Sequence, residues 1–107
     1  MGGIVLIDYE QEAKLIGSRL QEHFTPQWHC QYRIDVVNNQ YGSEFNFFLD
    51  IKRKNHRERS IPLHSLQTTD LTVLEQVINE VRQQTELTLN FVDFGHVRWP
   101  ESQRWIR

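Results

Sequence analysis

From residue 9 the apolar positions recur at helical spacing: Tyr9, Ala13, Ile16, Leu20 and Phe24 stand at steps of four, three, four and four. That repeat lays one apolar stripe along a helix of about four turns. Glu10, Glu12, Lys14, Ser18 and Glu22 fall on its other faces. Asp8 suits the N-cap, and Gln11 stands three residues later, where the reciprocal capping partner belongs. Thr25-Pro26 ends the helix, because proline disfavours helical geometry in the residue before it. Ahead of Asp8, Ile4-Val5-Leu6-Ile7 reads as a short buried strand or as an apolar lead-in.

After Trp28 the period changes to two. Cys30, Tyr32, Ile34 and Val36 alternate with Gln31, Arg33 and Asp35. Beyond a turn at Asn38-Asn39-Gln40-Tyr41-Gly42-Ser43, Phe45, Phe47, Leu49 and Ile51 alternate with Asn46, Phe48, Asp50 and Lys52. Such alternation predicts an antiparallel ribbon with one apolar and one wet face, needing a cover on one side only. Matching the apolar faces places Val36 opposite Phe45, Ile34 opposite Phe47, Tyr32 opposite Leu49 and Cys30 opposite Ile51. A slip of one residue would expose them all. On the wet face the same register sets Arg33 opposite Phe48, a cation–π pair.

Ser60-Ile61-Pro62-Leu63-His64 offers an optional third strand, with Pro62 suited to an edge. Thr68-Thr69-Asp70 supplies caps for a second helix with the stripe Leu71, Leu74, Val77, Ile78 and Val81. Leu87, Leu89 and Phe91 alternate with Thr88 and Asn90 as a further half-buried strand. Gly95 bends the chain, Val97 to Trp99 continue or start a last strand, and residues 100–107 form a docked or exposed tail. The order (β)αββ(β)αβ predicts one α+β domain over residues 1–107: a two-layer sandwich, mainly antiparallel, with both helices packed on one face of the sheet. With the first strand and without the third, it would follow the ferredoxin-like split β-α-β plan. With the third, the sheet is a meander between two helices.

The chain of 107 residues is long enough for a core without staples. No apolar run approaches the roughly twenty residues needed to cross a bilayer. A basic start and longer apolar stretch, as in a signal peptide, are missing. One cysteine excludes an internal disulfide and suits a reducing cytosol, so a cytoplasmic location is expected. The net charge of −2 is unevenly spread. Residues 1–50 hold seven acids against three bases. Residues 51–60 hold five bases against Glu58 alone. Residues 61–107 hold six acids against four bases.

Catalytic signals are weak. Asp93-Phe94-Gly95 spells the magnesium-holding tripeptide of protein kinases, but the chain is too short for that fold and lacks its glycine-rich and catalytic loops. The closest histidines, His23 and His29, are six apart, unlike the tight pairs of zinc sites, so no metal or cofactor is expected. Cys30 falls on the apolar face, where a thiol acts as a small hydrophobe. A small hydrolase or nuclease using Asp93, His96 and His64 is a third reading, without geometry to support it.

Binding signals are stronger. Lys52, Arg53, Lys54, Arg57 and Arg59 form a basic knot that would grip nucleic-acid phosphates, or protect a ribbon end from edge pairing. The RNA-recognition module offers a comparison and a contrast: its third strand carries glycines and aromatics where this chain reads Lys52-Arg53-Lys54. Arg98, Trp99, Arg104, Trp105 and Arg107 gather residue types enriched at protein–protein hot spots, Trp99 being the better candidate for a core role. Glu10, Glu12 and Glu22 on the first helix would suit a basic partner. The leading expectation is a non-catalytic binding protein with a protein partner, of immunity-protein or antitoxin profile by analogy of size and charge, facing a basic toxin. Nucleic-acid binding through the knot is the alternative.

Overall fold

The computed structural model describes residues 7–27 and 29–107. Its elements are α1 (Tyr9–His23), β1 (Cys30–Asn39), β2 (Glu44–Arg53), β3 (Arg59–Leu66), α2 (Leu71–Gln84) and β4 (Thr88–Val92). Residues 4–6 of the expected first strand lie outside the described residues, and Ile7 belongs to no strand. The optional third strand forms, so β1, β2 and β3 meander between two helices and the split β-α-β plan is not followed. The sheet order is β3-β2-β1-β4, antiparallel except that β4 runs parallel to β1. α2 thus carries the chain from the β3 side of the sheet to the far side of β1.

Both helices start where their caps predict. The Asp8 carboxylate accepts the N–H groups of Glu10 and Gln11 at 3.1 and 3.2 Å, and Asp70 accepts that of Thr72 at 2.9 Å. Ala13, Ile16 and Leu20 of α1 and Leu74, Val77, Ile78 and Val81 of α2 are buried. They meet Ile34, Val36, Phe45, Phe47 and Leu49 of the sheet in one core. Burying each large side chain of this kind stabilises the fold by roughly 1.5–3 kcal/mol.

The ribbon keeps the expected faces but not the expected register. Val36 lies opposite Phe47, Ile34 opposite Leu49, Tyr32 opposite Ile51, and Cys30 opposite Arg53. The shift is two residues, which preserves every side chain's face, so apolar alternation is blind to it. The turn decides instead. Asn39 pairs with Glu44, the Asn39 side chain accepts the Gly42 N–H at 3.0 Å, and Ser43 takes a positive φ of 52°. Arg33 consequently stands opposite Asp50, not Phe48.

Between β2 and β3 the register shifts at Phe47/Phe48: Phe47 faces His64 and Phe48 faces Pro62. The bulge leaves Leu63 over, and that residue is buried in the core. Pro62 sits on an edge strand, as expected of a residue without a ladder N–H.

After β4, Asp93 and Gly95 turn the chain with φ of 65° and 63°. Phe94 between them stacks on Phe45 at 5.8 Å and meets Phe91 edge-on at 5.7 Å. The kinase-like tripeptide is therefore a bend pinned by an aromatic plug. Val97 to Trp99 join no sheet strand. They form one arm of a small hairpin bridged at Arg98–Trp105. The tail is docked: Ile106 is buried and its N–H reaches the Val97 carbonyl at 3.0 Å.

Candidate functional site

Four groups of polar side chains stand out, and two of them are consumed by the fold. The first lies on the sheet face away from the helices. Arg33 Nε reaches Asp35 at 3.1 Å and Asp50 at 3.3 Å, and Nη2 reaches Glu58 at 3.1 Å. Ser60 donates to Asp50, and Asn90 donates to Asp35 at 3.1 Å. Burial raises the Asp35 carboxyl from its ordinary value, and the neighbouring Asp50 carboxyl adds to the rise. Burial also pushes Asp50 upward, but hydrogen bonds from Asp35 and Ser60 with the Arg33 charge outweigh it and hold that carboxyl low. The group is closed on itself, each member being satisfied by another.

The second group links α1 to β3. His64 Nδ1 lies 2.7 Å from Arg19 Nη1, which also donates to the Leu63 carbonyl at 2.9 Å. Arginine can only donate, so Nδ1 accepts and Nε2–H is left to donate to Glu12. Both ring nitrogens are occupied. His64 also lies on β3, at the opposite edge of the sheet from β4, the strand that leads to Asp93 and His96. The three residues of the hydrolase reading are not assembled. Glu12 is likewise withdrawn from the acidic face expected on α1, leaving Glu10 and Glu22 exposed.

The third group is built on the C-terminal hairpin. Trp99 N–H donates to the Arg104 carbonyl at 2.8 Å, and Gln103 N–H to the Trp99 carbonyl at 3.0 Å. Glu75 of α2, only 5% exposed, holds the turn: its two carboxylate oxygens accept the N–H groups of Glu101 and Ser102 at 2.8 and 3.2 Å. Trp99 is buried and meets Phe91 edge-on at 5.3 Å, so it takes the core role for which it was the better candidate and is withdrawn from the expected partner contacts. Trp105 is different. It is 44% exposed, with the Arg98 guanidinium 4.4 Å above its ring and His96 at its edge. Beside it opens a hollow of about 610 Å³, with Ile78 and Glu75 in its wall and Arg82, Arg104 and Arg107 around it.

The fourth group is the β2–β3 connection. Lys52, Arg53, Lys54, Arg57 and Arg59 are all exposed. Arg53, Arg57 and Arg59 join His23 and His56 around a second hollow of about 490 Å³ near the C-terminal end of α1. Lys52 follows Asp50 on the opposite sheet face, because side chains alternate along a strand. Glu58, the acid within the segment, is drawn to Arg33.

Among the described residues the ion pairs are those of Arg33, and Glu12 is held by the His64 ring, so neither arginine cluster faces a carboxylate at ion-pair distance. No three His, Cys, Asp or Glu side chains among the described residues converge to hold a metal ion. No helix among them is long and apolar enough to cross a membrane.

Glu75, Arg82 and His96 belong to the hairpin group although the sequence patterns did not assign them to it. A signal existed for two of them: Glu75 and Arg82 follow Leu71 by four and eleven residues and flank Ile78, on the same face of α2. The molecule is thus defined as a small α+β sandwich with two exposed cation clusters, one centred on a tryptophan. Compared with protein-family models, curated proteins and solved structures, the chain matches none.

Proposed function

We propose that the chain is a non-catalytic recognition protein that docks another protein on its C-terminal hairpin. The observation carrying this reading is a preorganised hot spot: exposed Trp105 beside Arg82, Arg104 and Arg107, on a turn anchored by buried Glu75. Trp and Arg dominate binding energy at protein interfaces, and a rigid anchor loses little entropy on association. Arg82, Arg104 and Arg107 outnumber the acids beside them in the hollow, Glu75, which is spent on the turn, and Glu101, and that surplus favours a partner that presents acidic side chains beside an apolar contact. Of the two protein-facing surfaces expected from the sequence, this one has the better support, since Glu12 is bound to His64. An immunity-type role facing a basic toxin would rest on Glu10 and Glu22 alone.

The test is affinity capture from the native host with the wild-type chain, Trp105→Ala, and the double variant Arg104→Glu/Arg107→Glu. The expected outcome is a stoichiometric protein partner that both variants lose while their thermal unfolding stays at the wild-type temperature. A partner retained equally by both variants would refute the assignment to the hairpin.

A further inference from the structure

The basic β2–β3 connection is independent of the tryptophan hairpin and has its own geometry, from which we infer that it binds the phosphate backbone of nucleic acid without reading sequence. Arg53 and Arg59 point to the helix side of the ribbon. Arg59 pairs with Ile51, and Arg53 lies two residues further along the same strand as Ile51. At the rise of a strand this separates their positions by about 7 Å. Arg57, His56 and His23 extend the row around the same hollow, and Glu22 is the acid on its rim. Cations strung along a ribbon suit a polymer of repeated phosphates better than a single anion, and the guanidinium fork matches phosphate oxygens two at a time.

The acid that would neutralise this run from within is removed by the fold, because Glu58 is paired with Arg33 at 3.1 Å. The large exposed hydrophobics of the described residues, Tyr41 and Trp105, both lie elsewhere. Tyr32, Ile51 and Ile61 also line the hollow but are half-buried against the core, so a protein hot spot there would lack a protruding aromatic anchor and a membrane surface would find no protruding apolar side chain to insert. The Tyr32 ring meets Phe24 edge-on and its hydroxyl donates to the Thr25 carbonyl, which removes it from the stacking on which single-strand binders depend. The ligand class is therefore duplex nucleic acid held by its phosphates, with the arginines of the hollow carrying the contact and Lys52, on the other face, contributing least.

The experiment is fluorescence anisotropy with labelled 20-base-pair DNA and RNA duplexes and single-stranded DNA, using the full chain between 50 and 200 mM salt. Three neutralised phosphates on DNA give a log–log slope of about −2.7, so affinity should fall about 40-fold over that range. Arg53→Ala/Arg57→Ala/Arg59→Ala should abolish binding, whereas Lys52→Ala/Lys54→Ala should retain most of it. These side chains are exposed, and circular dichroism verifies the fold of each variant. DNA and RNA duplexes binding alike would support readout of the backbone. Absence of duplex binding at 50 mM salt would overturn the inference, as would equal losses in the two variants. Preference for single strands, or for phosphatidylserine vesicles, would overturn it equally. None of these outcomes touches Trp105, so failure here and failure of the protein-docking reading are separable.

Discussion

Removing the Glu75 carboxylate tests whether the C-terminal hairpin is held by the charge beneath it. Glu75 lies on α2, and both oxygens are spent on N–H groups 26 and 27 residues later in the chain. Hydrogen bonds to a charged acceptor contribute about 1.5–3 kcal/mol each. Glu101 and Ser102 are exposed, so their freed N–H groups would find water, which places each loss at the low end. Alanine is also the better helix former by a few tenths of a kcal/mol. The net expectation for Glu75→Ala is a loss of about 2.5 kcal/mol, or roughly 10 °C in melting temperature for a domain of this size. Urea unfolding measures the total. Hydrogen exchange locates it: the N–H groups of Trp99, Gln103 and Ile106, which hold the hairpin together, should exchange faster while those of β1 and β2 change only by the global amount. A variant within 0.5 kcal/mol of wild type, with hairpin exchange unaltered, would show that the aromatic plug alone positions Trp105. Glu75→Gln keeps one acceptor but turns an amide donor toward the other N–H, so it should lose roughly half as much stability or more.

The paired aspartates carry opposite pH signs. Asp50 is held low in the fold, so its contribution is present above the unfolded value of about 3.9 and is lost as pH falls through its folded value. Asp35 is held high, so its contribution is complete below about 3.9 and is lost as pH rises through its folded value. Asp50→Asn should therefore destabilise near pH 7 and lose its effect in acid, while Asp35→Asn should be neutral or stabilising near pH 7. Urea midpoints from pH 3 to 7 measure both, and equal destabilisation at pH 7 would contradict the assignment. His64→Ala should cost about 1–2 kcal/mol by releasing Glu12 and Arg19, without altering capture of the protein partner. Unchanged unfolding would mean that the link between α1 and β3 is ornamental.

Elements governed by local periodicity were legible. Asp8, Asp70 and two apolar stripes suffice for the helices, because caps and a 3.6-residue repeat act within a few residues. The strands' faces were legible for the same reason. What could not be read was any quantity that period two leaves unchanged, and the two-residue register shift is the clearest case. Its cause is the short turn closed by Asn39 and Ser43, whose geometry outweighs the alternation on either side. Trp99 illustrates another boundary. Its residue type fits a core and a hot spot equally, and Phe91 in a different strand decides between them. Glu75 was hidden by its polarity: it occupies the apolar face of α2 because a turn lying beyond β4 supplies its partners.

Net charge and the placement of charge point in different directions on the surface of this chain. The chain carries 14 acids and 12 lysines and arginines, which argues against a polyanion partner. Position reverses the argument. Asp8 and Asp70 cap helices. Glu12, Asp35, Asp50 and Glu58 serve His64 and Arg33. Glu75 and Glu44 accept from nearby N–H groups. More than half of the acids are thus engaged inside the fold, where their fields are largely answered by local donors. Among the described lysines and arginines, Arg19, Arg33 and Arg98 are engaged in comparable ways. The remaining cations therefore set the local potential wherever they gather, and a charged ligand meets that local field because salt screens the rest beyond about 8–10 Å. An acidic protein can in this way present two cationic surfaces, provided its carboxylates are occupied with holding the fold.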